Sequence, residues 1–406
     1  MNEPKLRFPE FNSNWTHDNL ENVAEIFDGT HQTPLYTKTG VQFVSVENIE
    51  DIYKSEKYIS HEEYDKYRNK PQINDILMTR ITAGVIGETA MVTKDAPLAY
   101  YVSLALIRCE KLFPSYVEKY IHSIQFRKEL YKRIIHTAFP KKINLGDIGK
   151  CLVGITNEQE QQKIAEFLST IDTVIEKQKE TVSAWEERKK GVMQKLFSQE
   201  VRFKADDGSE FPEWEEKKLS EIASIHARIG WQNLRKDEFL TDGNYLLITG
   251  TDFCNGRVNL STCYYVDKER YEQDKNIQVE DGTILVTKDG TLGKVALVEN
   301  LNKPATLNAG VFAIKVIHAD TISKFLYHWL AAPMLLEYAS KKSTGGTIKH
   351  LNQGILVDFP VGVPCLEEQQ KIADCLSSLD EVIEKQKATL AAWEELKKGL
   401  LQQMFA

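Results

Sequence analysis

The sequence predicts an α+β fold. Two globular domains are joined by two long helices that pair as an antiparallel coiled coil, and the whole is a pseudo-twofold tandem repeat. Three observations predict it. A 38-residue stretch occurs twice, Glu160 to Phe197 and Glu368 to Phe405, at a constant offset of 208 with 25 identical positions. Both copies carry apolar residues in alternating steps of four and three. The segments before each copy consist of short apolar runs between Gly, Asp and Asn turns, and they match one another at scattered anchors.

The long helices come first. In the first copy Ile164, Leu168, Ile171, Ile175, Val182, Trp185, Val192 and Leu196 form one seam, with Gln178 and Lys189 as its polar members. In the second copy the seam is Ile372, Leu376, Leu379, Ile383, Leu390, Trp393, Leu400 and Met404, interrupted by Gln386 and Lys397. A seven-residue apolar period asks for a left-handed coiled coil, and polar seam residues cost stability while setting register. Trp185/Trp393 and Gly191/Gly399 match as well, which low-complexity helix does not explain. Asn157 and Glu160 form a capping box at the first start, and Pro364 precedes the second. Each helix spans ~57 Å at 1.5 Å per residue and would leave its stripe in water if alone. Pairing of the two copies is the simplest remedy. Packing of each helix on its own domain, or pairing of like helices between two chains, are the alternatives.

The globular parts repeat more weakly. Phe8-Pro9-Glu10-Phe11 recurs as Phe211-Pro212-Glu213-Trp214, and Trp15, Leu20, Val23 and Ala24 match Trp214, Leu219, Ile222 and Ala223. Gln42 to Ser45 aligns with Tyr245 to Ile248, and Ile76 to Arg80 with Ile284 to Lys288. A glycine-bearing turn follows each of the latter. Ser115 to Arg133 and Lys324 to Lys341 read as helical. The expected divisions are a first domain over 1–156, a helix over 157–199, a linker over 200–209, a second domain over 210–364 and a helix over 365–406.

A hydrophobic content of 42% and a charged content of 27% are those of a soluble globular protein, and no apolar run reaches 18 residues. The N-terminus lacks a signal-peptide pattern. Six cysteines without a C-x-x-C spacing read as reduced cytosolic thiols, so a cytoplasmic protein with no metal site is expected. The net charge of −8 hides local sign. Residues 1–156 hold 20 basic and 20 acidic side chains, and residues 210–364 hold 17 and 20. Within them, Arg127 to Lys142 has six basic residues against Glu129 alone, and Lys341 to His350 has three lysines, a histidine and no acid. Locally positive surface is what phosphate contact needs.

Catalytic constellations are missing from the sequence. Methylation of an exocyclic amine needs an Asn/Asp-Pro-Pro-aromatic loop, and the chain has no Pro-Pro pair. Lys288 to Lys294 superficially suggests a phosphate loop, but P-loop spacing puts Lys288 where its first Gly belongs and Val295 where its Ser/Thr belongs. H-E-x-x-H and G-x-S-x-G are absent. No catalytic residue is assigned.

The order domain, helix opening Glu-Gln-Gln-Lys-Ile-Ala, domain, same helix resembles the specificity subunit of type I restriction-modification systems. Supporting motifs are Arg7 to Phe11, Asp28 to Pro34, Ile76 to Arg80, and Ser343 to Thr347 before Leu351-Asn352. In the first copy His136 to Pro140 stands where the second has the Gly-rich loop. The resemblance implies two target-recognition domains, each reading half of a split site in double-stranded DNA, with the helices as spacer. It implies two methyltransferase subunits that carry S-adenosylmethionine, two restriction subunits that use ATP and Mg, and no cofactor on this chain. Candidate DNA contacts are Thr30, His31, Thr33, Thr79, Arg80, Lys141 and Lys142 in the first domain. In the second they are Thr287, Lys288, Ser343, Thr344, Lys349 and His350. Lys189, Lys190, Lys397 and Lys398 are expected on outward helix faces that meet methyltransferase subunits. The competing reading is a non-catalytic coiled-coil scaffold whose globular domains bind protein.

Overall fold

The structure is a computed structural model that describes residues 3–230, 234–342 and 350–405. The chain divides into two compact units, 1–179 with 389–406, and 180–388. Each unit therefore holds one globular domain and a part of both long helices. Glu158–Phe197 is one continuous helix of 40 residues and Leu366–Gln403 one of 38. Among the described residues no helix is long and apolar enough to cross a membrane.

In the first unit a four-stranded antiparallel sheet runs Ala24–Asp28, Leu104–Cys109, Ile76–Thr79, Thr89–Met91 in space. A three-stranded sheet of Tyr58–Ile59, Val41–Val44 and Leu98–Tyr100 lies beside it in the fold, with one parallel pairing. The strand Ile76–Thr79 is buried on both faces, and its side chains alternate between two cores. Ile76 and Met78 join a core with Trp15, Tyr116, Tyr120, Phe126, Ile164, Leu168 and Phe405. Leu77 joins a second core with Val44, Leu98 and Leu106. A two-sided burial explains the unbroken apolar run in the sequence.

The second unit repeats this plan. Ala223–Ala227, Val311–Val316, Ile284–Thr287 and Val295–Leu297 form the matching antiparallel run, extended by the hairpin Phe253–Cys254/Arg257–Val258. Asn255 and Gly256 turn that hairpin with positive φ at both, the combination a tight two-residue turn demands. Ile284 and Val286 face a core with Phe197, Phe325, Trp329, Ile372 and Leu376, while Leu285 faces one with Leu246, Ile248 and Leu307.

Two details of the sequence alignment change. Val44 precedes Ser45, whose side chain caps the next turn, and Ile248 precedes Thr249, which does the same. Val44 is thus the counterpart of Ile248, one residue away from the pairing read in the sequence. The stretches read as single helices are each broken once, into Pro114–Ile121 and Ile124–Arg133, and into Ser323–Ala331 and Met334–Lys342. Ser123 caps the second piece of the first pair, accepting from Phe126 N.

Within each unit the helices run antiparallel. In the first, Leu401, Met404 and Phe405 from the end of one helix share a core with Ile164, Ala165 and Leu168 from the start of the other. In the second, Met193, Leu196 and Phe197 share a core with Ile372, Ala373 and Leu376. The seam is firmest at these helix ends. Ile171, Ile175, Val182 and Ile383 are also buried, whereas Trp185, Val192, Leu379, Leu390, Trp393 and Leu400 are half-buried.

Candidate nucleic-acid interface

The helix starts hold the domains in place, and both do so through an Arg–Glu clamp followed by a glutamine that bonds backbone groups. Glu160 is fully buried and binds Arg7 with both oxygens, at 2.6 and 2.8 Å. Glu368 binds Arg202 likewise, at 3.1 and 2.8 Å. The next residue, Gln161, accepts from Phe113 N at 3.0 Å and donates to Thr156 O at 2.7 Å. Gln369 accepts from Ile322 N at 2.8 Å and donates to Asp320 O and Pro364 O at 2.7 and 2.8 Å. Asn157 caps the first helix through Glu160 N at 2.9 Å. The reciprocal half of the expected capping box is missing, because the Glu160 carboxylate takes Arg7 and Thr156 instead. Sequence reasoning saw the Glu-Gln-Gln opening as a family mark and missed its structural work. Its signal was there: acids and amides identical in both copies at the buried end of a helix.

In the first domain the candidate residues divide by depth. Thr79 is 2% exposed, and its hydroxyl donates to Val85 O and accepts from Glu88 N, at 2.8 and 3.0 Å. It shapes the turn 80–88 from inside. Arg80 is 8% exposed, with its guanidinium 3.3 Å from Asp28 Oδ1. His31 reaches the other oxygen of Asp28 at 2.7 Å and is itself exposed. Thr30 is half-buried, its amide bonded to Tyr100 O, and Thr33 is exposed. Tyr100 donates to Asp28 O at 3.0 Å, and burial raises its pKa, helped by the charge of Asp28. A cavity of about 280 Å³ opens here, lined by Asp28, Thr30, Lys66, Tyr67, Arg68 and Asn69. Lys141 and Lys142 lie on an exposed two-residue strand paired with Ile81–Thr82.

The second domain repeats the pattern at its turn. Thr287 is 2% exposed, donating to Thr291 O and accepting from Lys294 N at 2.5 and 2.9 Å. Lys288 is half-buried, with its ammonium 5.6 Å above the Phe312 ring. His350 is exposed and pairs with Asp289 at 2.7 Å. Ser343, Thr344 and Lys349 lie outside the described residues. The site differs from the first in one buried cation. Arg228 is 2% exposed and donates to Leu307 O at 2.8 Å; burial, then the nearby Arg270, lowers its pKa.

The helix lysines correct an expectation. Lys189 and Lys397 are not on outward faces. Lys189 is paired with Asp380 at 2.5 Å and Lys397 with Asp172 at 2.6 Å, each a cross-helix bridge at equivalent positions. Seam positions turn a lysine inward, and an acid on the facing helix receives it. Lys190 and Lys398 do face solvent, with side chains 61% and 70% exposed.

Two loop-bearing β domains, each stitched by the same contacts to the start of one copy of a repeated helix, define a class of duplicated recognition protein. The chain belongs to the type I restriction modification DNA specificity domain family, whose model matches residues 12–183 and 212–392. It is similar to the type I restriction enzyme MjaVIII specificity subunit of Methanocaldococcus jannaschii, 26% identical over 60% of this chain and 58% of that one. The alignment therefore spans little more than half of that relative's length. It is also similar to the putative type I restriction enzyme MjaX specificity subunit of the same organism, 24% identical over 98% of this chain and 95% of the relative. The fold matches the crystal structure of a type I restriction-modification system S subunit from M. genitalium with a TM-score of 0.58, at 18% identity, over 100% and 99% of the two chains.

Proposed function

We propose that this chain is the specificity subunit of a type I restriction-modification complex. Its two globular domains are the readers of a bipartite site in double-stranded DNA. The chain performs no chemistry itself. Methyltransferase subunits that bind S-adenosylmethionine dock on it and modify adenine within the site, and restriction subunits that use ATP and Mg join them in the cytoplasm. The residue ranges 1–156 and 210–364 are the readers, and 157–199 and 365–406 are the spacer helices.

The observation that carries this reading is the contrast between the two parts of the repeat. The helix copies agree at 25 of 38 positions and hold their domains through the same Arg–Glu clamp, while the exposed loops have diverged. Two readers of different half-sites on a common frame require that contrast. Among the candidate contacts, His31, Thr33, Lys141, Lys142 and His350 are exposed and so present donors to phosphate and base edges. Thr79, Arg80 and Thr287 act from beneath, by shaping the loops above them.

Sequencing of methylated positions in DNA modified by the assembled complex tests this directly. A motif of two short defined halves around an undefined gap is expected, and a single continuous motif would overturn the two-reader reading. Replacing 210–364 with another family member's reader changes one half only. Lengthening both helices by whole heptads changes the gap and leaves both halves. Binding that does not weaken as salt rises favours instead a scaffold that binds protein.

A further inference from the structure

The first domain carries an apolar tip that the fold does not use. Phe139 is 93% exposed, more than any other large apolar side chain among the described residues. It sits in the loop closed by the bridge between Ile135 and Lys142, with Ile135 N bonded to Lys142 O at 2.8 Å. Lys141 and Lys142 pair antiparallel with Thr82 and Ile81. By that register Phe139 and the turn after Thr82 leave the ribbon at the same end. The turn contributes Ala83, Gly84 and Val85, all exposed, with Val85 at 60%. The base of the ribbon is anchored, since Ile143 N donates to Arg80 O at 3.0 Å and Thr79 holds Val85 O from within. The flank is braced by the Tyr131 and His136 rings, 4.6 Å apart.

Two cations stand beside this tip. The neighbouring Lys132 and Arg133 are both engaged by Glu129. Lys141 and Lys142 are exposed and form no ion pair with any described residue. An exposed aromatic ring, two and three residues before a pair of lysines that form no ion pair with a described residue, suits one partner well. Duplex DNA offers phosphates to the lysines and, at an opened step, a base face to the ring. A protein partner fits less well, because interface cores are depleted of lysine.

We propose that Phe139 is a stacking wedge, entering DNA at a base step of the half-site read by the first domain while Lys141 and Lys142 hold the adjacent phosphates. The inference rests on the DNA-reading function proposed above. It also predicts an asymmetry. The equivalent segment of the second domain, Ser343 to His350, contains no Phe, Tyr or Trp, so the other half-site is read without a wedge.

The test uses the full chain assembled with methyltransferase subunits and a duplex carrying the sequence that the assembly selects from random DNA. 2-Aminopurine placed at successive positions brightens where a base unstacks. The adenines flipped for methylation brighten in any case; the expected result for the wedge is a further brightening, at one step of the first domain's half-site only. Phe139→Ala abolishes it and weakens binding on the order of tenfold, with the salt dependence unchanged. Phe139→Trp restores both. The Lys141→Gln, Lys142→Gln double variant lowers the salt slope by about two and keeps the brightening. Because the ring is exposed, the melting temperature of Phe139→Ala stays that of the parent. If Phe139→Ala leaves affinity and brightening intact, the wedge is overturned and DNA reading stands. If the parent selects no sequence and binds without salt dependence, DNA reading fails and the wedge with it. If Phe139→Ala instead weakens only assembly with the methyltransferase, the ring meets protein and the proposal is wrong.

Discussion

Replacing Lys189 with Met should cost the second unit about 2 kcal/mol. The Lys189 and Asp380 side chains are 15% and 24% exposed and 2.5 Å apart. Breaking a fully buried pair from one side costs about 3–5 kcal/mol, and breaking an exposed one about 0–1. A pair that keeps roughly a fifth of its exposure falls between, on the order of 2 kcal/mol. For a unit of this size that lowers the melting temperature by about 4–8 °C. The orphaned Asp380 has no ready substitute cation, because its other neighbour, His328, lies 4.0 Å away with its pKa held down to about 3 by burial first and then by Lys189 and Lys324. The equivalent Asp172 differs. It has Lys397 at 2.6 Å and also Lys119 at 2.6 Å, so Lys397→Met leaves it paired. Thermal and denaturant unfolding of the full chain should therefore rank Lys189→Met as clearly more damaging than Lys397→Met. A double-mutant cycle of Lys189→Met with Asp380→Leu should return a coupling of about 1–2 kcal/mol. Equal effects of the two lysine variants, or strict additivity in the cycle, would refute the reasoning.

Three further outcomes are expected. His328 is 1% exposed, and its folded pKa of about 3 lies below the ordinary 6.5. Between those values the unfolded chain holds a proton that the folded chain does not. Its contribution is thus complete above pH 6.5 and is lost on acidification, at up to about 1.4 kcal/mol per pH unit; unfolding curves of His328→Gln should lack that slope. Glu368→Ala removes a buried carboxylate that holds Arg202 and the Trp214 indole, the latter at 3.0 Å, and should destabilise by about 3 kcal/mol in denaturant titration. Gly256 has φ of 76°, and a Cβ there would stand 2.0 Å from Tyr327 Oη, so Gly256→Ala should lower stability by roughly 2 kcal/mol, read as a shifted midpoint at constant m-value.

The helical frame was legible in the sequence because periodicity reports burial directly. Ile164, Leu168, Ile372 and Leu376 are all within 2% of complete burial, and the seam picks them out. The strand Ile76–Thr79 was legible for the same reason. What could not be read were contacts whose partner is a backbone atom that a turn brings back to the side chain. Nothing in the letters around Thr79 says that its hydroxyl is used by Val85 O and Glu88 N, so its donor looked available. Lys189 shows a related limit. Its seam position was visible, but a lysine's usual exposure argued for an outward face, and only the facing Asp380 decides between them. Arg228 has no counterpart cation in the first domain, where the same strand end carries Asp28 and Gly29, so the repeat itself could not predict it.

The stitching at the helix starts explains how the readers can diverge on a constant frame. Gln161 bonds Phe113 N and Thr156 O, and Gln369 bonds Ile322 N, Asp320 O and Pro364 O. Every one of those domain-side atoms belongs to the backbone. A backbone amide or carbonyl is present whatever side chain stands there, so loops and even whole strands can change without loss of the joint. The side chains that the joint does require, Arg7 and Arg202, sit on the short segments leading into the domains and away from the exposed reading loops. The two joints are not equally tight: Trp214 bonds Glu368, whereas the buried indole nitrogen of Trp15 has no hydrogen-bond partner among the described residues. Gln161→Ala should therefore strip two backbone groups of their partners in the joint that has less to spare. Hydrogen exchange at Phe113 N should accelerate on that substitution more than exchange at Ile322 N does on Gln369→Ala. Equal acceleration would mean that the missing indole bond is immaterial and that the joint's strength lies wholly in the Arg–Glu clamp.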